Sequence, residues 1–309
     1  KVDWIKFITF FIFLFLMIFN AKLINLQFFS ISSENFKSIL NYVLYFFAIG
    51  AFFALLGYSA FGKILARKPV LFFSEPSHYA IAISPFLLTY MKVNDSKLKY
   101  FLVTFFVLFA IFYKSVTLVI IFLFYNLFFN KIINFKSIFL LSFMLILFLT
   151  NDYFLNRIPG SSEEAKESLS YLQGVEQIIE TFKDGNYFGI GPQQMGINLP
   201  KGSITEIMYE ATNGVYLNQY DGSIGFAKLL VEFGVFGLIF CIFLIYLSIK
   251  FRKYFISKIL DTQYIFLYSS LISILMYLFV RGGGYLNATY LFIFIFLLNL
   301  KKFKSIEYI

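Results

Sequence analysis

The sequence has few of the residues on which soluble enzymes and metalloproteins depend. Its 309 residues include one cysteine, one histidine and six prolines, and 14% are charged. A single cysteine, Cys241, excludes an intramolecular disulfide and a cysteine-based metal site, and a single histidine, His78, excludes a histidine-rich one. What is abundant is apolar: 60% of the residues are hydrophobic, 46 are Phe and the mean hydropathy is +0.78. This composition excludes a soluble enzyme and indicates an integral membrane protein.

The basic residues indicate membrane orientation. The net charge is +9, but 22 of the 26 basic residues are lysines, most of them at the ends of apolar runs. We therefore expect no nucleic-acid partner. Residues 5–19 are evenly apolar and lack a small-residue cleavage site, so we do not predict a signal peptide. Since the chain begins with Lys1, we expect an upstream segment to be missing.

Apolar runs separated by charged breaks predict an all-α polytopic membrane protein with about nine transmembrane helices. The predicted spans are residues 5–19, 39–61, 70–91, 99–113, 116–130, 137–150, 226–249, 264–280 and 286–300. Residues 99–130 are divided because a single span would bury Lys114 in the membrane. Lysine-rich segments near residues 250–258 and 301–304 predict the cytoplasmic side. Counting spans backwards puts the segments with Lys22 and Lys37, with Lys92, Lys97 and Lys99, and with Lys131 and Lys136 on that same side, which makes residues 151–225 external.

Three regions follow: transmembrane helices 1–6 in residues 1–150, a periplasmic loop in 151–225, and helices 7–9 with a cytoplasmic C-terminus in 226–309. The loop carries ten acidic and four basic residues. Apolar residues at helical spacing predict an amphipathic helix over residues 163–183, followed by the glycine-rich turn YFGIGPQQMG at 187–196. This turn does not fit a dinucleotide fingerprint, because no strand precedes it.

Arginine is rare, and its placement is the best functional clue in the sequence. Of the four arginines, Arg67, Arg157 and Arg281 fall on the external side, against the usual orientation of basic residues. A guanidinium offers a rigid fork of donors that matches phosphate oxygens. For any single arginine, contact with lipid headgroups is an equally good explanation.

Two short motifs add candidate residues. In FFSEPSHYA (72–80) we predict Ser74 as a helix N-cap, with Glu75 and His78 three residues apart on one face. The alternative is that Glu75 complements the helix dipole and His78 is structural. In RGGGYLNA (281–288) a glycine turn brings Arg281 to the external surface, although a short interhelical turn needs glycine in any case. Lys228 and Glu232 should pair with each other, and we expect no metal site.

These strings occur in a familiar order. They are FSEPSHYA, SLSYLQGVEQIIETF leading to FGIGPQQMG, LLVEFGVFGLI and LFVRGGGYL. Together they resemble the O-antigen polymerase (Wzy-type) family, within the O-antigen polymerase and ligase superfamily. The resemblance covers roughly residues 60–300. Each motif is weak by itself, whereas the ordered set is moderately specific.

The resemblance implies a GT-C-like glycosyltransferase of the bacterial inner membrane whose active site faces the periplasm. Such an enzyme polymerises undecaprenyl-pyrophosphate-linked repeat units without metal or cofactor. It would use a lipid-linked donor and acceptor, and a chain-length regulator protein is a possible partner. The implied roles divide into catalytic Glu75 and His78, pyrophosphate-binding Arg67, Arg157 and Arg281, and substrate-binding Tyr285, Gln193 and Gln194.

Two alternatives stay open at this point. An O-antigen ligase uses a similar donor but transfers the glycan to the lipid A core. A flippase or transporter of lipid-linked oligosaccharides belongs to another class, and it should carry charges deep within several spans. The predicted charges here stand at one membrane face, which favours an enzyme.

Overall fold

The fold is described from a computed structural model of the chain. The structure describes residues 2–60, 62–63, 69–130, 166–197, 202–211, 214–215, 220, 222, 224–257, 260–282, 284 and 287–305.

The described chain is helical apart from one two-stranded hairpin. In chain order the elements are α1 (Trp4–Phe28), α2 (Ser33–Leu55), β1 (Tyr58–Ser59), β2 (Gly62–Lys63), α3 (Pro76–Val93), α4 (Lys97–Phe112), α5 (Val116–Phe129), α6 (Lys166–Lys183), α7 (Ser203–Ala211), α8 (Gly225–Ser257), α9 (Thr262–Phe279), α10 (Ala288–Leu298) and α11 (Leu300–Ser305). The two strands pair antiparallel, with Tyr58 opposite Lys63.

Four of the described helices are long and apolar enough to cross a membrane: α1, α2, α8 and α9. Helices α5 and α10 are apolar but shorter, with 14 and 11 residues. The protein is therefore a multi-pass α-helical membrane protein. The count of nine spans stays a prediction, and the expected span at 137–150 lies outside the described residues.

Residues 99–130 form two helices, as predicted. α4 ends at Phe112 and α5 begins at Val116. Lys114 between them has a φ of 52°, a left-handed conformation that reverses the chain. The Ser115 side chain then accepts from the Leu118 amide and caps α5. The polar residues of this turn thus end one helix and start the next.

The described chain divides into two compact units. The larger comprises Asn20–Phe148, Leu247–Met276 and Ala288–Ile309. Its core is aromatic: the rings of Phe255 and Tyr268 stack with centroids 4.1 Å apart, and the Tyr79 hydroxyl donates to Phe47 O at 2.7 Å. Buried Tyr hydroxyls need such partners, because an unpaired one loses its hydration without compensation.

In the larger unit, helix ends predicted to be cytoplasmic contact one another. Ser33 at the start of α2 lies 2.8 Å, hydroxyl to hydroxyl, from Thr262 at the start of α9. The Arg252 Nε of α8 donates to Leu127 O near the end of α5 at 2.6 Å. Each contact joins two helix ends that the lysine pattern assigns to the same side of the membrane.

The smaller unit comprises Lys1–Phe19, Leu149–Tyr246 and Tyr277–Asn287. It includes α6, which occupies the predicted amphipathic segment from residue 166 onward. The Glu176 carboxylate of α6 accepts from the Ile204 and Thr205 amides, both at 3.0 Å. These two amides belong to the first turn of α7, so a side chain of α6 caps the start of α7.

Candidate functional site

Helix α8 is interrupted at Gly234. This residue has φ 55° and ψ −131°, a combination outside the helical region, and the helix continues on both sides of it. The interruption removes local helical hydrogen bonds in a largely apolar segment. Backbone groups released in this way must find other partners.

The loop that follows α6 supplies those partners. The amides of Ile190 and Gly191 donate to Val231 O and Glu232 O, each at 3.0 Å. In return the Val235 amide donates to Tyr187 O, also at 3.0 Å. The predicted glycine-rich turn is therefore docked, backbone to backbone, onto the break in α8.

Glycine is required on both sides of this contact. A Cβ on Gly189 would lie 2.3 Å from Glu232 O, and a Cβ on Gly234 would lie 2.1 Å from Tyr187 O. Both distances are far below van der Waals contact, so a side chain at either position would separate the loop from the helix. This requirement explains the first glycine of FGIG, Gly189, and the first glycine of EFGVFG, Gly234.

Glu232 holds the same loop through its side chain. Its Oε2 accepts from the Gln193 amide at 2.7 Å and its Oε1 accepts from the Met195 amide at 3.2 Å. Gln193 has a φ of 58°, which turns the backbone so that both amides reach one carboxylate. Glu232 is 1% exposed, so these bonds form away from water, where an unmade one would be costly.

Lys228 completes the arrangement, and its predicted pairing with Glu232 is confirmed. Its Nζ lies 3.5 Å from Glu232 Oε1 and donates to Tyr220 O at 2.5 Å. Lys228 is 4% exposed. A buried ammonium and carboxylate one helical turn apart balance each other's charge, while their further hydrogen bonds offset desolvation.

Gln194 connects the loop to the start of the chain. Its Oε1 accepts from the Asp3 amide at 2.8 Å, and its Nε2 donates to Asp3 O at 3.1 Å and Pro192 O at 3.2 Å. Both ends of this side chain are used inside the protein, which gives Gln194 a structural role. The substrate-binding role of Gln194, like that of Gln193, stays a prediction.

Arg281 lies on the turn after α9 and is half-buried. The next residue packs tightly, since a Cβ on Gly282 would lie 2.0 Å from Gly225 N at the start of α8. The Tyr277 hydroxyl donates to Gly284 O at 2.6 Å and fixes the turn further. Gly282 therefore places the backbone of Arg281 beside the N-terminal end of α8, which carries the positive end of the helix dipole.

The EPSH segment begins α3, but one residue later than predicted. Ser74 is not the N-cap: Glu75 has extended backbone angles (φ −135°, ψ 145°) and occupies that position, with Pro76 at N1. Proline favours this start because its fixed φ suits the first helical residue and its missing N–H is not needed there. The Ser77 hydroxyl donates to Glu75 Oε2 at 3.0 Å. Glu75 and His78 are both half-buried.

The predicted site residues fall in different parts of the structure. Glu75 and His78 belong to the larger unit, and Arg281, Gln193 and Gln194 belong to the smaller one. Arg67, Arg157 and Tyr285 lie outside the described residues. Sequence reasoning missed the role of Glu232 in holding the loop, although a carboxylate inside an apolar span is itself a signal.

These features define a polytopic membrane protein with an interrupted helix whose break is filled by a loop between two spans. No protein-family profile, curated protein or solved structure matches the chain.

Proposed function

We propose that the protein is a metal-independent glycosyltransferase that polymerises undecaprenyl-pyrophosphate-linked oligosaccharide repeat units at the periplasmic face of the bacterial inner membrane. The product would be O-antigen or a related surface polysaccharide. The proposal combines the ordered motifs of the sequence with the placement of the one external arginine that lies within the described residues.

The observation that carries the proposal is the setting of Arg281. Its turn is packed against the start of α8, where Gly282 approaches the Gly225 amide too closely for any side chain. Arg281 directly precedes Gly282, so its backbone lies at this helix N-terminus, and a guanidinium aimed there would add fixed positive charge and several donors for one anion. Glycosyl transfer from a pyrophosphate develops negative charge on the leaving group, and preorganised donors of this kind stabilise it.

Glu75 is the proposed general base. It occupies the N-cap position of α3 without a side-chain capping bond to the helix, and its carboxylate accepts a hydrogen bond from Ser77. In this role Glu75 takes the proton of the acceptor hydroxyl as the anomeric bond to pyrophosphate breaks. His78 would orient the acceptor or share the proton transfer.

The experiment that tests the function is deletion of the gene followed by gel analysis of the surface glycan. A polymerase mutant leaves a single repeat unit on the lipid A core, and the wild-type gene restores the ladder of repeats. A bare core after deletion would contradict polymerisation and indicate the ligase or the flippase. Complementation with Lys183→Gln, a change at an exposed position of α6, serves as the matched positive control.

A further inference from the structure

Helix α6 exposes apolar side chains along one line. Tyr171, Val175 and Ile179 follow one another at intervals of four residues and are 41%, 36% and 47% exposed. Positions four apart lie one above the other on a helix, so the three form a continuous stripe. The exposed Lys183 ends this line. Its amine donates to Glu180 Oε1 at 2.7 Å, and this bond raises the pKa of Lys183.

Three polar side chains of α6, by contrast, are turned toward the protein. Gln173 is 2% exposed, Glu176 caps α7, and Gln177 Nε2 donates to Thr205 Oγ1 at 3.1 Å. A helix on a water-facing surface normally has the opposite arrangement, with its apolar face inward and its polar face outward. The reversed pattern indicates that the surroundings of the stripe are apolar.

The helix is fastened to the ends of two membrane spans. The Tyr171 hydroxyl donates to Phe279 O, the last residue of α9, at 3.4 Å. Gly174 packs against Gly222, just before α8, where an added Cβ would lie 2.4 Å from Gly222 O. These contacts hold α6 beside the points where α8 and α9 begin and end.

After α6 the chain continues onto the lipid-facing surface of α8. Phe188 is 70% exposed, and its ring lies 5.7 Å, centroid to centroid, from that of Phe236. Phe236 is 62% exposed in a spanning helix, as are Ile239 at 57% and Ile242 at 56%. Such residues face lipid acyl chains, and aromatic rings are typical at the boundary between acyl chains and headgroups.

We propose that α6 is an interfacial helix, whose stripe of Tyr171, Val175 and Ile179 is embedded in the lipid at the membrane surface from which the 151–225 segment emerges. The stripe and the exposed apolar residues of α8 belong to the same compact unit, and the apolar surroundings that a spanning helix requires suit the stripe as well, so its partner in this proposal is the bilayer and not a protein. Contact is apolar and therefore insensitive to salt, unlike the attachment of basic helices to anionic lipid. This inference is independent of the proposed enzymatic activity.

The test uses single-tryptophan variants of the whole protein in phosphatidylcholine vesicles. The chain has one tryptophan, so Trp4→Phe provides a background without tryptophan fluorescence. Ile179→Trp and Val175→Trp place the probe in the stripe, and Glu206→Trp places it on α7 at an exposed acidic position. Each variant is measured with a brominated phosphatidylcholine, which quenches from the acyl region, and with acrylamide, which quenches from water.

We expect brominated lipid to quench both stripe probes at least twice as strongly as the Glu206→Trp probe, at low and at high salt, while acrylamide shows the reverse order. Equal acrylamide quenching of all three probes would overturn the inference. So would stripe probes shielded from both quenchers, since a protein partner would then cover the stripe. The second stripe position keeps the test decisive if one variant fails to fold.

Discussion

The Gln193 amide donates to Glu232 Oε2 over 2.7 Å, although the two residues are 39 positions apart in the sequence. This bond joins the loop after α6 to the interior of a membrane-spanning helix, two residues before the break at Gly234. The bond therefore fixes the loop to the spanning helix at the position of Glu232.

Glu232→Gln should destabilise the protein by about 3–5 kcal/mol, because it leaves the buried Lys228 ammonium without its carboxylate. The free energy of unfolding in detergent, measured with a denaturant, checks this. Lys228→Met together with Glu232→Gln should be less destabilised than the sum of the single variants, since no buried charge is then uncompensated. Glu210→Gln, at an exposed position, is the control and should stay within about 0.5 kcal/mol of wild type. An additive double variant would contradict the pairing.

Gly234→Ala should release the loop from α8. The new Cβ would lie 2.1 Å from Tyr187 O, and the backbone angles are unfavourable for alanine as well. Gly185→Ala is the matched control, because Gly185 also has positive φ but an added Cβ meets nothing within 4 Å. We expect trypsin to cleave at the exposed Lys183 several-fold faster in Gly234→Ala than in Gly185→Ala. Equal cleavage rates would show that the tight backbone contact is unimportant.

Arg281→Lys should lose most chain extension although the charge is kept, because lysine cannot make a two-donor contact with a phosphate. The ladder of repeat units on a gel measures this at matched protein levels. A normal ladder from Arg281→Lys would exclude the pyrophosphate role for this residue and favour headgroup contact.

Glu75→Gln should abolish chain extension, since it removes the base and keeps the side-chain shape. His78→Ala should only shorten the ladder. Ser77→Ala, which deletes the hydroxyl that donates to Glu75, separates support of the carboxylate from its chemistry and should have a mild effect. A wild-type ladder from Glu75→Gln would rule out the assignment.

Fusions of alkaline phosphatase should be active at Gly185 and inactive at Ser257, because the enzyme folds only outside the cytoplasm. The lysines near residues 250–258 predict this orientation. A green fluorescent protein fusion at Ser257 should fluoresce. The opposite pattern would invert the topology and the predicted location of the arginines.

Sequence patterns predicted those parts of the fold that depend on local properties. The charge of Lys114 divided α4 from α5, and helical periodicity located α6. The break at Gly234 could not be predicted, because the residues around it keep an apolar pattern that suits an unbroken span and the partners that compensate for the break come from a distant loop. The predicted N-cap, Ser74, is one residue too early. Proline favours the first helical position, so Pro76 begins the helix and Glu75, immediately before it, occupies the N-cap.

The candidate site was less predictable, for a related reason. Periodicity shows which residues of α6 are apolar but not which of them are exposed, and here Tyr171, Val175 and Ile179 are exposed whereas Leu172 and Ile178 are half-buried. Gln194 illustrates the same limit, because its residue type and position did not indicate that its side chain bonds to the backbone of Asp3. Such roles depend on contacts between remote segments, which residue type and spacing do not specify.

The pairing of Gln194 with Asp3 also affects how the protein is made. The two residues are separated by 191 positions, so the start of α1 must wait in the bilayer while the ribosome completes most of the chain. At synthesis rates of about 5–20 residues per second this delay is roughly 10–40 s. Contacts between residues that are far apart in the sequence form slowly. The loop therefore reaches its final structure late in biogenesis, and until then it is accessible to proteases and chaperones.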